Sequence, residues 1–236
     1  MERVLKDLVE RLKKAYPNEL VSVVLYGSAA AGDHHGRFSD INILCVLADV
    51  GRGQLAAAAP VFRWWRDLGN PAPLLLSQTE LRTSADCFAI EFYDIKERHR
   101  ILHGADLVSG LEVDNRFYRA QVEHELRAKV LRLRQKAGVI LADKELMRGL
   151  LVDSLSTFTV LIRHALRLSG EDPGFTKREI LAAAEQKFGI DPQPFLRLLE
   201  VREQKAKPGS LDPGPVFDTY LKEIQVVIDA VDRLGR

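Results

Sequence analysis

Two apolar runs, Val21–Tyr26 and Ile41–Leu47, flank the polar stretch GSAAAGDHHGRFSD. Runs of this length and composition predict strands, and the Gly, Asp and Ser between them predict a connection rather than an element. Gly27-Ser28 closes the first run, and Ser39-Asp40-Ile41-Asn42 opens the second. In a strand, residues two apart share a face, so Asp40 and Asn42 present their side chains together, an arrangement that can hold a metal ion. A glycine at 27 lets backbone approach a phosphate closely, and Ser28 adds a hydroxyl and a backbone donor beside it.

Around this pair the first half reads as mixed α and β. A helix is predicted over Glu2–Ala15, stopped at Tyr16-Pro17 because proline disfavours helix in the residue before it. A second helix is predicted over Gln54–Leu68, with Val61, Phe62, Trp64 and Trp65 as its bulky face. Both tryptophans read as packing residues, since no basic and aromatic alternation surrounds them. Leu74–Leu76 and Cys87–Tyr93 are the next predicted strands, with a short helix or turn at Thr79–Ser84. From about Asn115 the strand signals stop and helices are predicted over Phe117–Ala142, Lys144–Leu168, Lys177–Phe188, Pro192–Glu203 and Val216–Leu234. Thr176 and Glu179 fit a capping box, and Asp191-Pro192 a helix start. The expectation is an α+β chain, with a mixed α/β domain over 1–114 and an all-α helical bundle over 115–236.

Gly27-Ser28 with Ser39-Asp40-x-Asn42 resembles the signature of the polymerase-β-like nucleotidyltransferases, whose usual form is Gly-Ser, a spacer, then Asp-x-Asp or Asp-x-Glu. The likeness is nearest to the bacterial branch that includes aminoglycoside, streptomycin and minimal nucleotidyltransferases. It implies that Gly27 and Ser28 grip a triphosphate, that Asp40 and residue 42 hold Mg²⁺, and that a third acid on a later strand assists. It implies an NTP substrate, ATP first among them, and a helical C-terminal domain that completes the substrate cleft. For the third acid the run CFAIEFYDI points to Glu91, as base or metal ligand, because a mid-strand acid is costly to bury without a partner or a task. An exposed strand face shared with Ala89 and Tyr93 is the alternative. Asp94 and Asp86 fall on the other parity of that strand.

Asn42 stands where the family has a second carboxylate. An amide oxygen keeps a hard ligand but removes a full charge, and Mg²⁺ relies on carboxylates and substrate phosphates. Three readings therefore stay open: nucleotide transfer on the charge of Asp40 and Glu91, nucleotide binding without turnover, and a scaffold for a protein partner.

Arg37, whose planar fork matches phosphate oxygens, is a candidate phosphate contact. Arg37 reads equally well as a surface charge, whereas His34 and His35 in the same connection, and Lys96, Arg98 and Arg100 in DIKERHR, could face phosphate or substrate but read more readily as solvated residues. With 34 basic and 33 acidic residues, net charge gives no support for a general nucleic-acid or membrane-surface binder. From Arg116 onward 21 basic residues face 17 acidic ones, a mild asymmetry that suits an anionic ligand. No apolar run is read as approaching the roughly 20 residues that span a bilayer, and no signal pattern opens the chain. Cys45 and Cys87, each inside an apolar run, read as small buried reduced residues. A cytoplasmic protein is expected. The acceptor is unassigned, RNA ends remain open to it, and a homodimer is allowed.

Overall fold

The computed structural model describes residues 1–30 and 41–234. In the first part of the chain, α1 (Glu2–Ala15) buries Leu5, Leu8, Val9 and Leu12, a stripe at helical spacing. The next elements are β1 (Leu20–Tyr26), β2 (Asn42–Leu47), α2 (Arg52–Asp67), β3 (Leu74–Ser77), α3 (Gln78–Thr83), α4 (Ala89–Glu97) and β4 (His99–Gly104). The sheet order is β3-β2-β1-β4. β1 runs antiparallel to both β2 and β4, while β3 joins β2 in parallel through the α2 crossover.

Alternate residues of the two central strands feed two separate cores. Val23, Leu25, Ile43, Cys45 and Leu47 pack with α1 and with Ala58, Val61 and Trp65 of α2. Val24, Leu44 and Val46 pack on the opposite face with Leu81, Phe92, Ile95, Val108 and Leu111. Burial on both faces explains the unbroken apolar reading of β1 and β2. Trp65 is fully buried, and Trp64 lies under the Arg11 guanidinium at 4.2 Å, so both tryptophans are packing residues.

The segment expected as a strand at Cys87–Tyr93 is a helix instead. Ala89, Phe92 and Ile95, three apart, are buried along α4, and over so short a window the apolar spacing fits either period. Cys87, expected to be buried, is exposed because it precedes that helix rather than lying in a core strand. The strand comes one step later, in HRILHG, where charge disguised it. As an edge strand, β4 tolerates Arg100, which reaches Glu2 of α1 at 2.9 Å.

Where β4 ends, Gly104 is held tightly against β1. Its φ is +79°, and a Cβ there would sit 1.9 Å from the Val21 carbonyl oxygen. The buried Ser22 hydroxyl donates to the Ala105 carbonyl at 2.8 Å and secures the same corner. The chain then turns on Asp106, whose carboxylate accepts from the Ser109 hydroxyl at 2.6 Å and from the Val108 and Ser109 amides at 3.0 Å each. This loop seats Val108 and Leu111 in the second core.

Met1–Arg116 and Phe117–Arg236 are two compact units. The second contains α5 (Tyr118–Ile140), α6 (Lys144–Leu168), α7 (Lys177–Phe188), α8 (Gln193–Arg202) and α9 (Pro213–Arg233), with a 3₁₀ turn at Pro208–Ser210. Thr176 and Glu179 form the capping box that starts α7, and Asp191 accepts from the Gln193 amide at the start of α8. Among the described helices α6, which has the bounds the sequence predicts, is long and apolar enough to cross a membrane, contrary to the reading that no apolar run approaches such a span. It is the core helix of its unit, with Leu151, Leu155, Phe158 and Ile162 buried and 56% of its most apolar stretch enclosed.

Two outcomes are expected. Gly104→Ala should destabilise the chain by more than about 2 kcal/mol, because left-handed backbone alone costs an L-residue roughly 1–2 kcal/mol and the Val21 contact adds to it; urea unfolding reads this. The Ser109 hydroxyl, as the largest cause, holds the Asp106 carboxyl down to about 2 from the ordinary 3.8. A depressed folded-state pKa means that the loop's contribution is present above pH 3.8 and lost as pH falls through about 2. Ser109→Ala should move the Asp106 titration upward in a carboxyl-resolved NMR experiment.

Candidate active site

β1 delivers the chain to Gly27 in a left-handed conformation, φ +77°. The Gly27 amide donates to the Arg98 carbonyl at 2.9 Å, and its carbonyl accepts from the Ala30 amide at 3.1 Å. A Cβ at this position would lie 3.3 Å from Nδ2 of Asn42. The Gly-Ser turn is thus pinned on one side to the residue before β4 and on the other to the first residue of β2. The Gly27 amide is thus committed to Arg98, while the Ser28 hydroxyl makes no hydrogen bond among the described residues.

Asn42 pairs directly with Tyr26 across β1 and β2. Its parity is that of Leu44 and Val46, so its side chain lies on the face covered by α4. Glu91 is exposed in the first turn of α4, and Asp94 follows one turn later, partly buried. A strand would have sent these two acids to opposite faces; the helix sets them on one, three residues apart. Both charges reach the Tyr26 phenol, whose pKa is raised first by burial and then by Glu91 and Asp94. Tyr26, Gly27, Ser28, Asn42, Glu91 and Asp94 therefore gather at one end of β1.

The sequence reading missed the contribution of Tyr26 and the pairing of Asp94 with Glu91. The helical spacing of Glu91 and Asp94 was the available signal, hidden by the choice of strand. Asp40, Arg37, His34 and His35 lie outside the described residues. Asp86 lies elsewhere, in a groove of about 410 Å³ lined also by Arg82, Thr83, Glu112, Asp114 and Arg116. Lys96 and Arg100 have local tasks: Lys96 donates to the Leu111 carbonyl at 2.7 Å, and Arg100 pairs with Glu2. On α5, Arg119 and Arg127 share Glu123, and Lys129 pairs with Glu125.

Among the described residues no three His, Cys, Asp or Glu side chains converge as a metal site. The amide oxygen of Asn42 and the carboxylates of Glu91 and Asp94 are all hard oxygen donors, the type that suits Mg²⁺, with Asp40 two residues before Asn42.

Gly27→Ala should lower stability by about 1–2 kcal/mol through its left-handed backbone. The accompanying Asn42 contact is with a side chain that can shift, so the loss should be smaller than for Gly104→Ala in the same urea titration.

The described structure is similar to the crystal structure of spectinomycin adenyltransferase AAD(9) from Enterococcus faecialis with ATP and spectinomycin, with a TM-score of 0.58 at 12% identity and 99% of each chain covered. That likeness is one of fold. No curated protein matches the chain in sequence. A family model described as a nucleotidyltransferase domain matches residues 5–137, from α1 into α5. With more than half of its length matched and the Gly27-Ser28 turn joined to β2 as described, the chain belongs to the nucleotidyltransferase domain family, within the polymerase-β-like nucleotidyltransferase superfamily.

Proposed function

We propose that the protein transfers a nucleoside monophosphate from an NTP, ATP in the first instance, to an acceptor hydroxyl or similar group and releases pyrophosphate. The acceptor oxygen forms a bond to the α-phosphorus, the bond from that phosphorus to the oxygen bridging the β-phosphate breaks, and the acceptor's proton passes to Glu91. Ser28 and the Gly27 turn hold the triphosphate, with Arg37 as a further phosphate contact. Asp40 would be the principal ligand of Mg²⁺, with Asn42 contributing its amide oxygen and Glu91 on the same side. When bound, the ion offsets phosphate charge in the transition state. Residues 1–114 form the domain that handles the nucleotide in this reading, and 115–236 form a helical domain.

What supports the reading is the family membership together with the convergence of the Gly27-Ser28 turn, Asn42 and the α4 acids at one end of β1. The choice of ATP, and of spectinomycin as the first acceptor to try, follows from the molecules in the similar solved structure. Asn42 favours a second reading, a catalytically degenerate nucleotide-binding or interaction scaffold, because it removes one carboxylate charge.

Thermal unfolding with each NTP, with and without Mg²⁺, should show a Mg²⁺-dependent rise in midpoint, since a ligand of the folded state stabilises it. Asp40→Ala should abolish that rise, and an unchanged rise removes Asp40 from the site. Asn42→Asp separates the two readings by pyrophosphate release: a site adapted to asparagine loses activity or changes little, whereas a decayed site gains Mg²⁺ affinity. No rise at millimolar NTP, with a co-purifying protein indifferent to Asp40→Ala, would favour the scaffold.

A further inference from the structure

The proposed transfer leaves the Tyr26 hydroxyl without a task. Tyr26 is the last residue of β1, directly before the Gly27-Ser28 turn. It is paired with Asn42 on one side and with His99 on the other. Its partly buried ring packs against the core that holds Val24, Leu44, Phe92 and Ile95. The ring is therefore fixed by the sheet and by α4. Its hydroxyl, however, makes no hydrogen bond among the described residues, although a phenol in such surroundings usually finds a partner.

Tyr26 packs on the face of the sheet that α4 covers, and α4 carries Glu91 and Asp94. At neutral pH Tyr26 is a donor, and the two carboxylates are acceptors. They lie within electrostatic reach of one another without a direct hydrogen bond. The group that complements such a pair must accept from the phenol and donate to a carboxylate. An alcohol does both, whereas a protonated amine has no lone pair to offer Tyr26.

We propose that Tyr26 binds the acceptor substrate: its O–H donates to the acceptor's hydroxyl oxygen while Glu91 draws off that hydroxyl's proton, so that the site takes hydroxyl acceptors in preference to ammonium ones. This rests on the transfer reading above. The acceptor oxygen is held by its second lone pair as it attacks the α-phosphorus, and pyrophosphate leaves as before.

Tyr26→Phe in the full chain tests this. The substitution removes one oxygen that has no hydrogen-bond partner among the described residues, so the thermal midpoint should stay at the wild-type value. The Mg²⁺-ATP-dependent rise in midpoint should also be unchanged. Pyrophosphate release from Mg²⁺-ATP, with water as acceptor and with glycerol added as a polyol, should fall about tenfold, the scale of one lost hydrogen bond to a substrate. Release by Tyr26→Phe at the wild-type rate overturns the role of Tyr26 and leaves the transfer reading standing. Loss of the ATP-dependent rise also overturns it, by assigning the phenol to the nucleotide. A wild-type chain that binds Mg²⁺-ATP yet releases no pyrophosphate with either acceptor overturns both.

Discussion

The antiparallel pairing of β1 with both its neighbours is the constraint on which the rest of the first unit depends. Tyr26 is fixed opposite Asn42 and opposite His99, and the Gly27 amide continues the ladder by one more bond, to Arg98. A one-residue slip in the β1–β2 register would move Asn42 to the other face of the sheet, and one in the β1–β4 register would do the same to His99. The chemistry gathered at this end of β1 is therefore set by backbone hydrogen bonds before any side chain takes part. Gly104 and Ser22 close the opposite corner, so β1 is held at both ends.

The two faces of this sheet do different work. One is sealed by α1 and α2 around Trp65, where the Tyr16 hydroxyl donates to the Gln54 carbonyl. The other is covered by shorter pieces, α3, α4 and the Asp106 loop, and at its edge the apolar packing of Phe92 and Ile95 gives way to Glu91 and Asp94. A helix in this position supplies two acids on one surface where a strand would supply one. That difference bears on Asn42, because negative charge missing from β2 has a neighbouring source on α4.

The glycines show how the same residue type serves two ends. Gly104 is required by backbone contact, since the obstructing atom is a carbonyl oxygen that cannot move away. Gly27 is required mainly by its backbone angle, and its nearest neighbour is the Asn42 side chain. The first is a matter of stability. The second also shapes the Gly-Ser turn, because it commits the Gly27 amide to Arg98 and leaves Ser28 partly exposed beside it.

Much of this protein was legible in its sequence. Buried runs such as Val21–Tyr26 and Ile41–Leu47 have one plausible fate in a chain of this composition, and long periodic segments such as Lys144–Leu168 carry enough turns to declare their helical period. The Gly-Ser and Ser-Asp-x-Asn pair likewise marks the family, because its chemistry lies in contiguous residues. Residues 87–104 were not legible. There the apolar spacing suits either period, and the edge strand is disguised by Arg100 and two histidines, so tertiary packing against Val24 and Leu44 decided what local preference left open. With that decision came the placement of Glu91 beside Asp94 and the exposure of Cys87. Sequence alone determined the elements whose periodicity is long and the motif whose residues are adjacent; only the tertiary structure decided which distant side chains share a face, because that depends on register and packing between segments.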